Sequence, residues 1–166
     1  MSSDAITLLK ADHKDIRRLF REFDATGNRA IKKKAKIVRK IIELLTVHTY
    51  VENEVMYPEV RGLLPDLDEG ILESYEEHHV ADVLCMELYG MPADAERFDA
   101  KTTVLIETVT HHIKEEEQEW FPKVRAGLDR KQLQKLGAKI EQAREKAPRS
   151  PARPSAVKKT IDAVIS

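Results

Sequence analysis

Cysteine is nearly absent: Cys85 is the only one in 166 residues. An internal disulfide and a thiolate zinc site are therefore excluded, and a reducing cytosol is the expected compartment. Aromatic residues make up 5% of the chain, and glycine and proline are sparse before residue 147. That scarcity favours long helices over many turns. The opening "MSSDAITLLKADHKD" has neither the basic nor the apolar region of a secretion signal, and no later stretch is long and apolar enough to span a bilayer. No sign of charge predominates either. The formal net charge is −1, so the balance demands neither nucleic acid nor an anionic membrane. What remains, 42% hydrophobic and 34% charged residues, supplies a core for one domain with little room for a second. The expectation is a cytoplasmic, soluble chain, a monomer or weak dimer.

Apolar spacing predicts four main helices. The first, Ser3 to Phe23, carries Ile6, Leu9, His13, Ile16, Phe20 and Phe23 in steps of three and four. The second, Asn28 to Arg61, aligns Ile37, Ile41, Leu44, His48, Val51 and Val55. The third, Leu67 to Tyr89, aligns Ile71, Tyr75, His78, Ala81, Cys85 and Leu88. The fourth, Ala95 to Ala126, aligns Leu105, Val109, His112, Glu116 and Trp120. A shorter amphipathic piece follows from Arg130 to Lys146. Short loops between long helices predict an all-α, up-down-up-down four-helix bundle over residues 1–146. Residues 147–166 read as a proline-rich extended tail, whose last residues have an amphipathic pattern that would allow docking.

The chain writes one pattern twice. "HTYVENEVMYP" begins at His48, and "HHIKEEEQEWFP" repeats its frame sixty-four positions later from His112. Thr46/Thr110, Glu52/Glu116, Tyr57/Phe121, Pro58/Pro122, Val60/Val124 and Arg61/Arg125 match at that offset. The preceding helices show an acid before a histidine in both cases, Asp12–His13 and Glu77–His78. Two helical hairpins of one layout, around a pseudo-twofold axis, are expected.

His13, His48, His78 and His112 interrupt apolar stripes, one per helix. A single histidine on an apolar face is usually a satisfied core residue; four at similar depth are not so easily explained. Burying unpartnered imidazoles costs on the order of a few kcal/mol each. Two buried carboxylates, Glu52 and Glu116, add a further penalty unless a cation compensates them. His48/Glu52 and His112/Glu116 are i, i+4 pairs on one helical face. Imidazole plus carboxylate without thiolate suits iron, manganese or zinc, and six such donors exceed one tetrahedral zinc. They fit two ions, with His13 and His48 on one and His78 and His112 on the other.

On "DH" at 12–13, "HTYVENEVMYP", "EEHH" at 76–79 and "HHIKEEEQEWFP", residues 5–126 resemble the hemerythrin-like HHE cation-binding family. The resemblance implies a four-helix bundle around two non-haem iron ions, bridged by carboxylates and an oxo or hydroxo group. It implies His13, His48, Glu52, His78, His112 and Glu116 as metal ligands, with Glu52 and Glu116 as the bridges. The chain departs from the oxygen-carrying hemerythrins in two places. Asp82 stands where they have a second third-helix histidine, and Glu117, preceded by Glu116, stands where they have an aspartate. Four histidines instead of five argue for reaction over reversible carriage.

Asp82, water or a phenol is expected to fill the missing position. Tyr50 is one candidate phenol, although on a regular helix it points away from His48 and needs a local bulge to reach the site. His79 lies beside His78 and is expected near the ligands or exposed. Glu54, Glu115 and Glu117 are either solvated or accept the outer ring N–H of the histidines. Tyr57, Phe121 and Trp120 are expected to pack below the site. "RAIKKKAKIVRK", residues 29–40, reads as a solvated face, and Cys85 as a small core residue. Two functions follow. One is binding or turnover of dioxygen, nitric oxide or hydrogen peroxide in oxidative or nitrosative stress defence. The alternative is an iron- or oxygen-responsive sensor that signals without turnover.

Overall fold

The computed structural model describes residues 3–151. The architecture is an all-α bundle. Helix α1 spans Ala5–Asp24 and α2 spans Ile31–Val51. One π turn, Glu52–Met56, carries α2 directly into α3, Tyr57–Leu63. After a short 3-10 turn come α4, Asp68–Tyr89, and α5, Phe98–Glu115. A second π turn, Glu116–Trp120, leads into α6, Phe121–Gly127, and α7 spans Arg130–Lys146. The α1–α2 and α4–α5 hairpins make the bundle, and α7 lies across α1 and α2.

Local chemistry sets the ends. Asp4 caps α1 by accepting from the Thr7 N–H at 2.9 Å. Asp129 and Gln132 form a reciprocal capping box at the start of α7. Gly137 lets α7 approach the chain entering α1, because a β-carbon there would collide with the Ser3 carbonyl oxygen.

Both π turns immediately precede the prolines of the repeat. Proline has no N–H to give and its ring crowds the carbonyl four residues back. The ladder therefore widens: the Tyr57 N–H bonds to the Glu52 carbonyl and the Phe121 N–H to the Glu116 carbonyl. One extra residue enters each helix. The buried seam, predicted to run from Val51 to Val55, passes instead to Met56 and Tyr57, while Val55 is half-buried. In the second copy Phe121 is buried and Trp120 half-buried.

The core is two apolar clusters. One joins Ile16, Phe20, Ile41, Leu45, Cys85, Leu105 and Val109; the other joins Ile6, Leu9, Val51, Met56, Tyr57, Phe121 and Ile140. Burying each such large side chain contributes about 1.5–3 kcal/mol. Between the clusters lies a polar layer. The stretch predicted as a solvated basic face differs at Lys34, which is buried and donates to Asp99 at 2.6 Å. Of the predicted tail, residues 147–151 leave α7 without helix, and Arg149 donates to Glu43. Residues 152–166, with the amphipathic end, lie outside the described residues.

Candidate metal centre

The polar layer contains all six residues singled out from the repeat. His13, His48, Glu52, His78, His112 and Glu116 are each at most 7% exposed. One long helix supplies each histidine, and each glutamate opens a π turn. Two imidazole pairs face each other: His13 Nε2 lies 3.2 Å from His48 Nε2, and His78 Nε2 lies 3.1 Å from His112 Nε2. The carboxylates span both pairs. Glu52 Oε1 is 2.6 Å from His48 Nε2 and 3.6 Å from His78 Nε2. Glu116 reaches His13 Nε2 at 3.2 Å through Oε1 and His112 Nε2 at 3.1 Å through Oε2. Neither oxygen of Glu52, nor Oε1 of Glu116, has a hydrogen-bond partner despite this crowding.

A second ring of residues faces the outer nitrogens. His48 Nδ1 donates to Asp12 at 3.0 Å, and His78 Nδ1 donates to the Asn53 side-chain oxygen at 2.8 Å. Glu77 lies 3.5 Å from His112 Nδ1, and Glu117 lies 3.4 Å from His13 Nδ1. The acid beside each histidine in sequence thus serves the histidine of the neighbouring helix. With Nδ1 turned outward, every Nε2 points at the centre. Arg144 of α7 pairs with Asp12 at 3.0 Å, and Arg17 forms a two-point pair with Glu117.

The field of this layer favours positive charge. Burial lowers the basicity of His48, but Glu52 and Asp12 outweigh it and push the imidazole up to about 10. His112 is likewise raised well above the ordinary value, against its burial, by Glu116 and Glu77. His78, with a neutral amide behind it, is held well below by burial and by its imidazole neighbours. Burial and the Glu116 charge raise Glu52, whereas His112 and His13 outweigh burial and hold Glu116 well below the usual range.

Sequence reasoning missed one residue of the layer. The Tyr57 hydroxyl donates to Glu116 Oε2 at 3.0 Å and lies 3.2 Å from His78 Nε2. On a regular helix, nine residues of about 100° each would put Tyr57 opposite His48. The π turn inserts a residue and brings it round. The bulge that Tyr50 would have required exists, but it begins after Tyr50, which packs half-buried against the second apolar cluster. Asp82 is not brought into the cluster either; it accepts from the Thr49 hydroxyl at 3.5 Å. Burial pushes Asp82 up to about 6. His79 is half-buried beside it and outside the cluster, and His111 is exposed. The signal for Tyr57 was Pro58, a helix-interior proline in an unbroken apolar pattern.

Two groups of donors, His13/His48/Glu52/Glu116 and Glu52/His78/His112, each converge closely enough to share one ion. A family model described as Hemerythrin HHE cation binding domain matches residues 4–124. The chain belongs to this family. Its hemerythrin-like bundle encloses a His/Glu cluster suited to a di-iron site. The fold is shared with a crystal structure of a hemerythrin HHE cation binding domain-containing protein from Mycobacterium kansasii. That likeness has a TM-score of 0.71 at 19% identity, and it covers 87% of this chain and 89% of that one. A DNA nickase from Nostoc sp. is 25% identical over 139 residues, or 84% of this hemerythrin-like chain. This chain spans only 38% of that relative's length. No helix among the described residues is long and apolar enough to cross a membrane.

Proposed function

We propose that the polar layer holds two iron ions and that the protein binds or consumes small oxidants: dioxygen, nitric oxide or hydrogen peroxide. His13 and His48 would serve one ion, His78 and His112 the other, with Glu52 and Glu116 between them. One observation carries this reading. Four inward-facing Nε2 atoms meet at 3.1–3.2 Å in pairs, around two carboxylates three of whose four oxygens have no hydrogen-bond partner. Cations among such a set would offset the cost of burying it. A donor set of imidazole and carboxylate without thiolate suits iron.

Bound iron supplies the redox chemistry toward these oxidants. The chain's own residues set its conditions. Asp12 and Asn53 fix the orientations of His48 and His78 by hydrogen bonds, and Glu77 and Glu117 face His112 and His13 from outside. The apolar clusters exclude bulk water on both sides. Tyr57 holds a proton at Oη beside Glu116 and His78, and burial with the two carboxylate charges keeps that hydroxyl protonated well above its ordinary value. Kept protonated, that hydroxyl is placed to donate a hydrogen bond to an oxidant bound beside it.

Anaerobic iron loading followed by peroxide or nitric oxide consumption tests the proposal. Consumption that scales with bound iron is expected; a colourless protein that takes up no iron contradicts it. A second reading, the sensor, has its own support: Arg144 on α7 holds Asp12, which holds His48. Iron-dependent protease resistance of α7 without turnover would favour that reading.

A further inference from the structure

Two described cavities touch the cluster. One, among Leu45, Ala81, Val109 and Ile113, has about 10 Å³, barely the room one water needs. The other, between α4 and the α5–α6 arm, has about 150 Å³ and is walled by Glu73, Glu77, Glu115, Glu119 and Lys123. Its floor is His112 and Glu116. Glu116 is 2% exposed; its Oε2 lies toward His112 and Tyr57, and its Oε1, without a hydrogen-bond partner, turns to His13.

Two of its wall residues, Glu77 and Glu115, converge with the exposed His111, which lies outside the cavity lining, and His111 Nε2 is 3.1 Å from Glu115 Oε1. Glu77 belongs to both levels, because it also faces His112 Nδ1. Side-chain exposure falls along this line, from 68% at His111 and 42% at Glu115 through 22% at Glu77 to 8% at His112 and 1% at Glu116. Donors for a divalent cation are therefore graded from solvent to the buried layer, and four carboxylates against one lysine give the passage a negative field.

We propose that this passage is the loading route for divalent metal, with Glu77, His111 and Glu115 as an outer capture site and Glu73 and Glu119 as the attracting rim. The inference rests on the cluster's holding metal. The cavity has room for a partly hydrated ion, and the outer imidazole and carboxylates replace water ligands stepwise before the ion meets Glu116 and His112.

The test is stopped-flow uptake of Fe²⁺, and of Co²⁺ as a redox-inert probe, by metal-free full-length protein under anaerobic conditions. His111→Ala/Glu115→Gln and Glu73→Gln/Glu119→Gln should each slow uptake about fivefold or more, with the same final stoichiometry and spectrum. Lys123→Gln should speed it, and added salt should slow the wild type more than the rim variant. Wild-type rates and salt dependence in all the variants, with full final loading, would overturn this route and leave the metal centre standing. Failure of the wild type to take up either ion would overturn both.

Discussion

The two halves of the candidate centre are copies that differ at three matched positions. Asp12 behind His48 corresponds to Glu77 behind His112, and Phe121 stacks on His13 where Tyr57 packs tilted against His78. The first difference is at that ring: one half has a phenyl, the other a hydroxyl aimed at Glu116. The second is behind the ring, where His13 faces Glu117 and His78 faces the neutral Asn53. The third is one turn further on. Arg17 follows His13 and neutralises Glu117; Asp82 follows His78 and meets the Thr49 hydroxyl and His79, with no arginine among the described residues. Arg144 of α7 adds a second cation behind the first half. The His13/His48 side is thus buttressed by ion pairs, whereas the His78/His112 side carries the Tyr57 hydroxyl and borders the cavity of about 150 Å³. The repeated pattern accounts for the shared donor set, and the surroundings make the two halves unlike.

The largest effect should come from removing what the halves share. Glu116→Ala takes away contacts to both imidazole pairs, and bound iron should fall from two ions to less than one per chain by elemental analysis. Retention of two would mean that the carboxylate does not join the halves. Next, Tyr57→Phe makes the halves alike at that ring: iron content should persist while peroxide or nitric oxide consumption drops about tenfold or more, in line with loss of a charge-stabilising hydrogen-bond donor. Adding Phe121→Tyr should not restore it, because the new hydroxyl would sit on the ring against His13 and not beside His78. Equal activity in Tyr57→Phe would remove the phenol from the account.

A smaller effect concerns Arg17 against Asp82. Asp82 is raised from 3.8 to about 6 by burial, so between those values the folded chain holds a proton that the unfolded chain has lost. Its contribution to stability therefore falls as pH rises through that window and is flat above about 6. Asp82→Asn should raise stability at pH 7 by roughly 2–3 kcal/mol, and the gain should shrink toward pH 4 in denaturant titrations. A gain independent of pH would contradict the assignment.

Much of this was legible in the chain itself. Histidines in line with apolar residues and two His–x3–Glu frames carry the bundle and the six-residue cluster, because helical periodicity alone decides which side chains share a face. Two things lay beyond it. A π turn changes the helical period without changing the local composition, so Tyr57 was assigned to packing and Tyr50 was given the chance to reach the site. Tertiary pairing is also invisible in order along the chain: Asp12 adjoins His13 but holds His48, and Arg144 acts on that same carboxylate from a helix over a hundred residues away. Proline at matched positions after both glutamates was the one written sign of the altered period.

The central claim is tested most directly by counting metal in the purified chain beside its His112→Ala variant. Two irons per wild-type chain, and no more than one in the variant, are predicted. Wild type without iron, or a variant with the same content as wild type, would contradict a cation pair in the polar layer.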